Sequence, residues 1–179
     1  MRLKKGQLAP KIDIEDIKNM KFTLENERDK PLLLSFFRYA SCPLCNLRIH
    51  ELITNYDKYS KYFDIVAVFQ SPSEAIKKYV GNQNIPFRVV PDPERKLYRM
   101  YGVETSWSGF FKAWVVRIVS IFKSIVIKGH LPGSIQGEIH RIPADFLVGT
   151  NNHLIITYYG KDIGDHISIS EILKELESE

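Results

Sequence analysis

The two cysteines of this chain stand three residues apart, as Cys42-Pro43-Leu44-Cys45, directly after the apolar run Leu32-Leu33-Leu34-Ser35-Phe36-Phe37. Such a pair can serve as a dithiol redox centre, as half of a metal site, or as two inert neighbours in a core. A zinc site needs two further ligands. The sequence has no second cysteine pair, and His50, His130, His140, His153 and His166 show no H-x₃₋₅-H spacing, so no metal is expected. Thiol chemistry also needs no cofactor.

If Ser41 caps a helix, Cys42 lies at the helix's N-terminal edge and Cys45 one turn inside. Pro43 suits the first turn, where its missing N–H is no loss. Unpaired N–H groups and the helix dipole at that end favour a thiolate. Arg38 and Arg48 flank the pair, and no acid lies between Asp29 and Glu51 to oppose them. One turn of helix also brings two sulfurs into disulfide range. Cys45 shares a face with Ile49 and Leu52, which predicts an exposed nucleophile at Cys42 and a buried resolver at Cys45.

The elements that must hold this pair alternate between short apolar runs and amphipathic stretches, an α/β pattern. Residues 32–37 read as a buried strand, and Ile49, Leu52, Ile53 and Tyr56 carry a helix to about Ser60. A second strand is predicted over 62–69, then a helix from Ser71-Pro72-Ser73-Glu74 to near Gly81. A brief strand at 87–90 is stopped by Pro91-Asp92-Pro93, and a helical turn spans Leu97 to Tyr101. After a basic segment, 144–148 and 153–158 read as a hairpin around Gly149-Thr150-Asn151-Asn152. An amphipathic helix, 168–176, ends the pattern.

The 179 residues, 44% apolar and 26% charged, suit one domain able to bury a core unaided. Met1 to Asp16 has cations but no apolar targeting stretch, and no apolar run reaches spanning length. A cytoplasmic protein without membrane contact is the expectation. In that reducing compartment a cysteine pair acts more readily in catalysis than as a staple. The net charge of +4 sits in Lys112, Arg117, Lys123 and Lys128, between Glu104 and Glu138; the remaining 21 cations face 21 acids. A basic surface for nucleic acid is therefore not supported.

Several segments resemble the peroxiredoxin-like AhpC/TSA (redoxin) family, on the thioredoxin fold. They are Lys5-Gly6-Gln7-Leu8-Ala9-Pro10, Asp92-Pro93-Glu94-Arg95-Lys96-Leu97-Tyr98 with Tyr101-Gly102-Val103, and Arg141-Ile142-Pro143-Ala144-Asp145-Phe146-Leu147-Val148. The ending Tyr158-Tyr159-Gly160-Lys161-Asp162-Ile163-Gly164-Asp165-His166-Ile167 resembles a subgroup of bacterial members. The resemblance implies a single thioredoxin-like domain over 1–179: a central mixed sheet flanked by helices, an N-terminal extension, and a helical insertion at about 105–130 before the final β-hairpin. It further implies that Pro143 is a cis-proline facing the cysteines, leaving the Ile142 backbone free to pair with a substrate chain.

The chain departs from the family where peroxide would bind. Ser35 and Tyr39 stand where the family has the Pro and Thr/Ser of Pro-x-x-x-Thr/Ser-x-x-Cys. Pro143 occupies the place of a family arginine, with Arg141 displaced, and Cys45 a place often held by Glu. Arg38 or Tyr39 would have to supply the donors that stabilise a leaving oxygen. The sequence therefore favours exchange with a disulfide-containing protein through Cys42 and Cys45, with a small hydroperoxide as the alternative substrate. Either cycle needs a thioredoxin- or glutathione-type reductant. A redox-silent module docking a partner or membrane is a third reading. The basic segment 106–128 would be its amphipathic helix, with core packing or a homodimer contact the plainer roles. His166 reads as structural, and Asp145, two residues past Pro143, as a weak candidate proton acceptor.

Overall fold

Alternating polar and apolar residues open the chain as two short strands, β1 (Ile12–Glu15) and β2 (Lys21–Leu24), paired antiparallel. The sequence reading had only an extension here. Asp16 makes the turn: its Oδ1 accepts from the N–H groups of Lys18 and Met20, and Asn19 takes a positive φ of 59°. A computed structural model describes residues 1–25, 28–116 and 134–178, with the side chains of 112–116 not described.

The main sheet has five strands, β3 (Leu32–Phe36), β4 (Asp64–Phe69), β5 (Arg88–Pro91), β6 (Ala144–Val148) and β7 (Leu154–Tyr159), in the order β5-β4-β3-β6-β7. β3 runs parallel to β4, which runs parallel to β5; β6 and β7 are antiparallel additions, making the sheet mixed. Central β3 is buried on both faces, which is why it is nearly all apolar. Leu33 and Phe37 join a core with Ile49, Leu52, Ile76 and Ile172, while Leu32, Leu34 and Phe36 face Ile12, Phe22, Tyr98 and Tyr101.

Helices α1 (Pro43–Thr54), α2 (Tyr56–Tyr59), α3 (Ser73–Tyr79), α4 (Lys96–Met100), α5 (Trp107–Val116) and α6 (Ile169–Glu177) flank it. The helix predicted to run to Ser60 breaks at Asn55, whose side chain bonds back to the Glu51 carbonyl. β4 begins at Asp64 rather than Tyr62, because Tyr62 and Phe63 donate to the Tyr59 carbonyl in the preceding turn. Pro91 ends β5 from within; on an edge strand its missing N–H costs no pairing. Ser168 caps α6 in a full capping box with Glu171. Of the predicted basic helix over 106–128, only 107–116 fall in α5; the rest, and the polar and apolar faces of the whole, lie outside the described residues. No helix among the described residues is long and apolar enough to cross a membrane.

β3 and β4 deliver their carboxyl ends side by side, where α/β proteins commonly bind ligands. Tyr98 ties those ends together. Its buried Oη lies 2.6 Å from the Phe37 carbonyl oxygen and 2.9 Å from that of Val68, and both share its proton. Tyr98→Phe is expected to lower stability by about 1–3 kcal/mol, since both buried carbonyls lose a donor. Urea unfolding checks this, and an unchanged midpoint would show that the hydroxyl ties nothing.

Candidate active site

Cys42 is the N-cap of α1, with φ −69° and ψ 121°. Pro43 dictates this, because a residue preceding proline is pushed out of the helical region. The helix can therefore begin only at Pro43, and the predicted cap at Ser41 is displaced by one residue. The Ser41 hydroxyl donates instead to the Ser134 carbonyl, 2.8 Å away. Asn46 secures the loop from one turn on: its Nδ2 donates to the carbonyls of Ala40 and Cys42, and its Oδ1 accepts from Gln83. Ser71 Oγ accepts from the Ala40 N–H.

This loop turns Arg38 back over the thiol. Nη1 of Arg38 lies 3.3 Å from Cys42 Sγ, and its guanidinium sits 5.0 Å above the Tyr39 ring and 5.9 Å from the Phe110 ring. Its Nη2 donates to the Ile139 carbonyl. Arg38 is only 3% exposed, so the contact works with little screening.

The two thiols titrate apart. Burial alone pushes the Cys42 thiol up. The hydrogen bond from Cys45, the charge of Arg38 and the backbone N–H groups of Cys45 and Leu44 outweigh it and bring the thiol down, to about 6. Cys45 moves the other way, raised by burial and by donating a hydrogen bond to the charged Cys42. A nucleophile and a protonated resolver is the division of labour that dithiol chemistry uses. Tyr39, pushed up to about 12 by burial and the adjacent Cys42, stays a neutral phenol.

Exposure corrects one expectation. Cys42 is 1% exposed and Cys45 3%, so both sulfurs are buried. The segment leading from Ser134 to Arg141 is bonded to the loop that carries them and to the turn after β4. Its carbonyls engage Ser41, Arg38 and Gln70. The sequence reading missed Asn46, Gln70 and Ser71. Asn46 alone left a local trace, as a polar residue four beyond Cys42 on the inward face of α1.

Pro143 and Ile142 are not placed as expected. Among the described residues there is no cis peptide bond, so Pro143 is trans. The chain enters β6 extended, with Thr105 bridged to Arg141, the Ile142 N–H donating to Glu104 O at 3.1 Å, and Pro143 O accepting from Gly160. A trans proline enters a strand this way without a turn. The Ile142 N–H is thus engaged rather than free for a substrate chain. Both residues line a cavity of about 430 Å³ with Glu104, Tyr159 and Lys161, and neither cysteine lines it. Arg141 donates to Val103 O and Glu138, and lies over the Tyr98 ring.

Asp145 and His166 form a separate buried network. The Asp145 carboxylate accepts from Ser35 Oγ, from the Ile167 N–H at 2.9 Å and from His166 Nδ1 at 3.0 Å. Burial pushes its pKa up, but His166 and Arg48 prevail and hold it below the ordinary value. The His166 ring packs on Phe37 at 4.7 Å.

Comparison with known proteins gives the family and the fold. The model of the AhpC/TSA family matches residues 5–154. Peroxiredoxin Bcp of Escherichia coli (strain K12) is 20% identical over 159 residues, 87% of this chain and 95% of that one. A chloroplastic peroxiredoxin Q of Sedum lineare is 22% identical over 109 residues, 60% of this chain; the match spans only 59% of the plant protein. Among solved structures, the peroxidoxin BcpB of Mycobacterium tuberculosis superposes with a TM-score of 0.69 at 12% identity, covering 99% of this chain and 98% of that one. The chain belongs to the AhpC/TSA family, and its sheet and helices form the thioredoxin fold.

The electrostatics can be read directly. The ultraviolet absorbance of the thiolate in the reduced protein should rise as pH passes upward through about 6, with Cys45 still protonated. Arg38→Met leaves burial without its opposing charge, and the midpoint should climb by about one unit or more. Coincident titrations of the two proteins would show that Arg38 does not hold the thiolate.

Proposed function

We propose that this AhpC/TSA chain is a thiol-dependent oxidoreductase in which Cys42 is the nucleophile and Cys45 the resolver. The carrying observation is the Arg38 guanidinium 3.3 Å from Cys42 Sγ, on a sulfur that also accepts a hydrogen bond from Cys45. In exchange, the Cys42 thiolate attacks one sulfur of a substrate disulfide. A Cys42–substrate disulfide forms, and the other substrate sulfur leaves as a thiolate. Cys45 then gives up its proton and attacks Cys42 Sγ, releasing the reduced substrate and leaving a Cys42–Cys45 disulfide.

A second reading, thiol peroxidase, is favoured by the 1% exposure of Cys42, which suits a small oxidant. Here the thiolate attacks one oxygen of a hydroperoxide, the O–O bond breaks, and the other oxygen leaves as an alcohol or water after taking a proton. The Cys42 sulfenic acid condenses with Cys45, expelling water and forming the same disulfide. Arg38, beside the sulfur, is the group placed to orient the peroxide and share the charge that develops on the leaving oxygen.

Both routes spend two electrons from the cysteine pair, which an external reductant restores: one thioredoxin-type dithiol, or two glutathione-type thiols. A reducing compartment such as the cytoplasm suits that cycle. We treat 1–179 as one working unit, with 105–130 as an insertion in it. Arg38, Tyr39 and Pro43 are the supporting residues, each acting on the charge or geometry of Cys42. Pro143 and Ile142 bear on the site through the start of β6.

Cys45→Ser should stop the cycle after one step. With hydrogen peroxide it should accumulate a sulfenic acid on Cys42, trapped by dimedone; with a disulfide it should accumulate a mixed disulfide, both read by mass spectrometry. Cys42→Ser should lose at least about a thousandfold in turnover. Turnover retained by Cys42→Ser with either oxidant would remove Cys42 from its role.

A further inference from the structure

Three polar residues with almost no exposure lie on or against the loop that leads into the cysteine pair: Ser41 at 2%, Gln70 at 1% and Ser71 at 0%. Buried polar groups need partners, and here one segment, Ser134 to Arg141, supplies many of them. Ser41 Oγ donates to Ser134 O, and Ser71 Oγ to Gln136 Oε1 at 3.1 Å. Gln70 is bonded twice by the Glu138 backbone. Its Nε2 donates to Glu138 O at 2.8 Å, and its Oε1 accepts from Glu138 N at 3.2 Å. Arg38 Nη2 donates to Ile139 O.

Apart from the His140 ring, stacked on Trp107 at 4.3 Å near its far end, the strap brings little apolar anchorage. None of residues 134–140 is buried, and Ile135 is 57% exposed. Its hold is therefore made mainly of hydrogen bonds that water can replace, at a modest net cost per bond. Such segments belong to the low-stability end of a fold. Gly137 completes the fit. Its φ is +83°, and a Cβ there would stand 2.7 Å from Gln70 Cδ and 2.8 Å from Gln70 Oε1. Only glycine lets the strap sit this close to Gln70.

We propose that this strap, latched by Gln70 against Gly137 and Glu138, is the specificity-determining element of the Cys42 site. Seated, it admits a hydroperoxide and excludes a folded protein disulfide; a protein partner reaches Cys42 only after the Gln70–Glu138 bonds part. The inference rests on Cys42 being the nucleophile. It adds an order of access: the small oxidant enters through the closed form, the protein through the open one. A hydroperoxide presents two oxygens and needs only local breathing beside Sγ. A protein disulfide brings backbone on both sides of its sulfurs and collides with residues 134–140.

The test uses the full reduced chain and two variants that unseat the strap from opposite sides, Gly137→Ala and Gln70→Ala. Three reagents are timed against Cys42: hydrogen peroxide, oxidised thioredoxin as a protein disulfide, and a bulky maleimide. Hydrogen exchange is followed at 135–140. In both variants the strap amides should exchange faster. The thioredoxin and maleimide rates should rise about tenfold or more, as expected for losing the latch bonds. The peroxide rate should stay within about threefold of the parent, a shift below one hydrogen bond's worth. Equal changes for all three reagents, or unchanged maleimide and thioredoxin rates despite faster strap exchange, would overturn the proposal. Faster exchange in neither variant would overturn it as well, by showing that Gln70 is no latch. A parent protein that never forms a Cys42–Cys45 disulfide with any oxidant would instead refute the redox reading itself.

Discussion

A thiolate withdrawn from water has lost the solvation that made it an anion, and the loss must be made up by protein dipoles and charges. Cys42, at 1% exposure, stands under that constraint. Pro43 sets the backbone so that its sulfur meets the N–H groups of Leu44 and Cys45. Arg38 brings a full positive charge, itself 3% exposed and therefore as dependent on the thiolate as the thiolate is on it. Asn46, Ser71 and Tyr98 do not touch the sulfur. They fix the loop and strand ends from which Arg38 and Cys42 depart, so that the charges cannot drift apart.

The sequence revealed most of what local chemistry governs. The double-sided burial of β3, the Cys42/Cys45 spacing on α1, the Gly149–Asn152 hairpin and the Ser168 start of α6 each follow from residues adjacent in the chain. The resemblance to the AhpC/TSA family added the mixed order of the sheet. What escaped was long-range. Nothing near Gln70 in the sequence announces Glu138, 68 residues away, nor does Arg38 announce Ile139 across 101 residues. The burial of Cys42 was missed for this reason, since the residues beside it, Arg38 and Ser41, are bonded to a distant segment. Pro143 failed differently: isomer state depends on how the chain arrives from Thr105 and Glu104, which the local motif does not encode.

Asp145, Ser35 and His166 illustrate a buried charge handled without chemistry. The carboxylate sits at 0% exposure, yet it collects a hydroxyl, an imidazole and a backbone N–H. Through it, β6 is joined to β3, and the loop before α6 is joined to both. His166 then packs on Phe37, the residue immediately before Arg38. The C-terminal region thus supports the strand end that carries the reactive loop. That support explains why the polar Ser35 interrupts an otherwise apolar strand.

The distance in sequence between Cys42 and its cover also has a consequence in time. A ribosome moving at about 5–20 residues per second needs on the order of 5–20 s to travel from Arg38 to Ile139. For that interval the nascent chain carries both sulfurs with neither strap nor completed sheet above them. The guanidinium that later activates Cys42 is made four residues before it, whereas the strap carbonyl that Arg38 binds is made 101 residues after Arg38. Each newly made molecule therefore passes through an unprotected stage in which its thiols depend on the redox state of their surroundings.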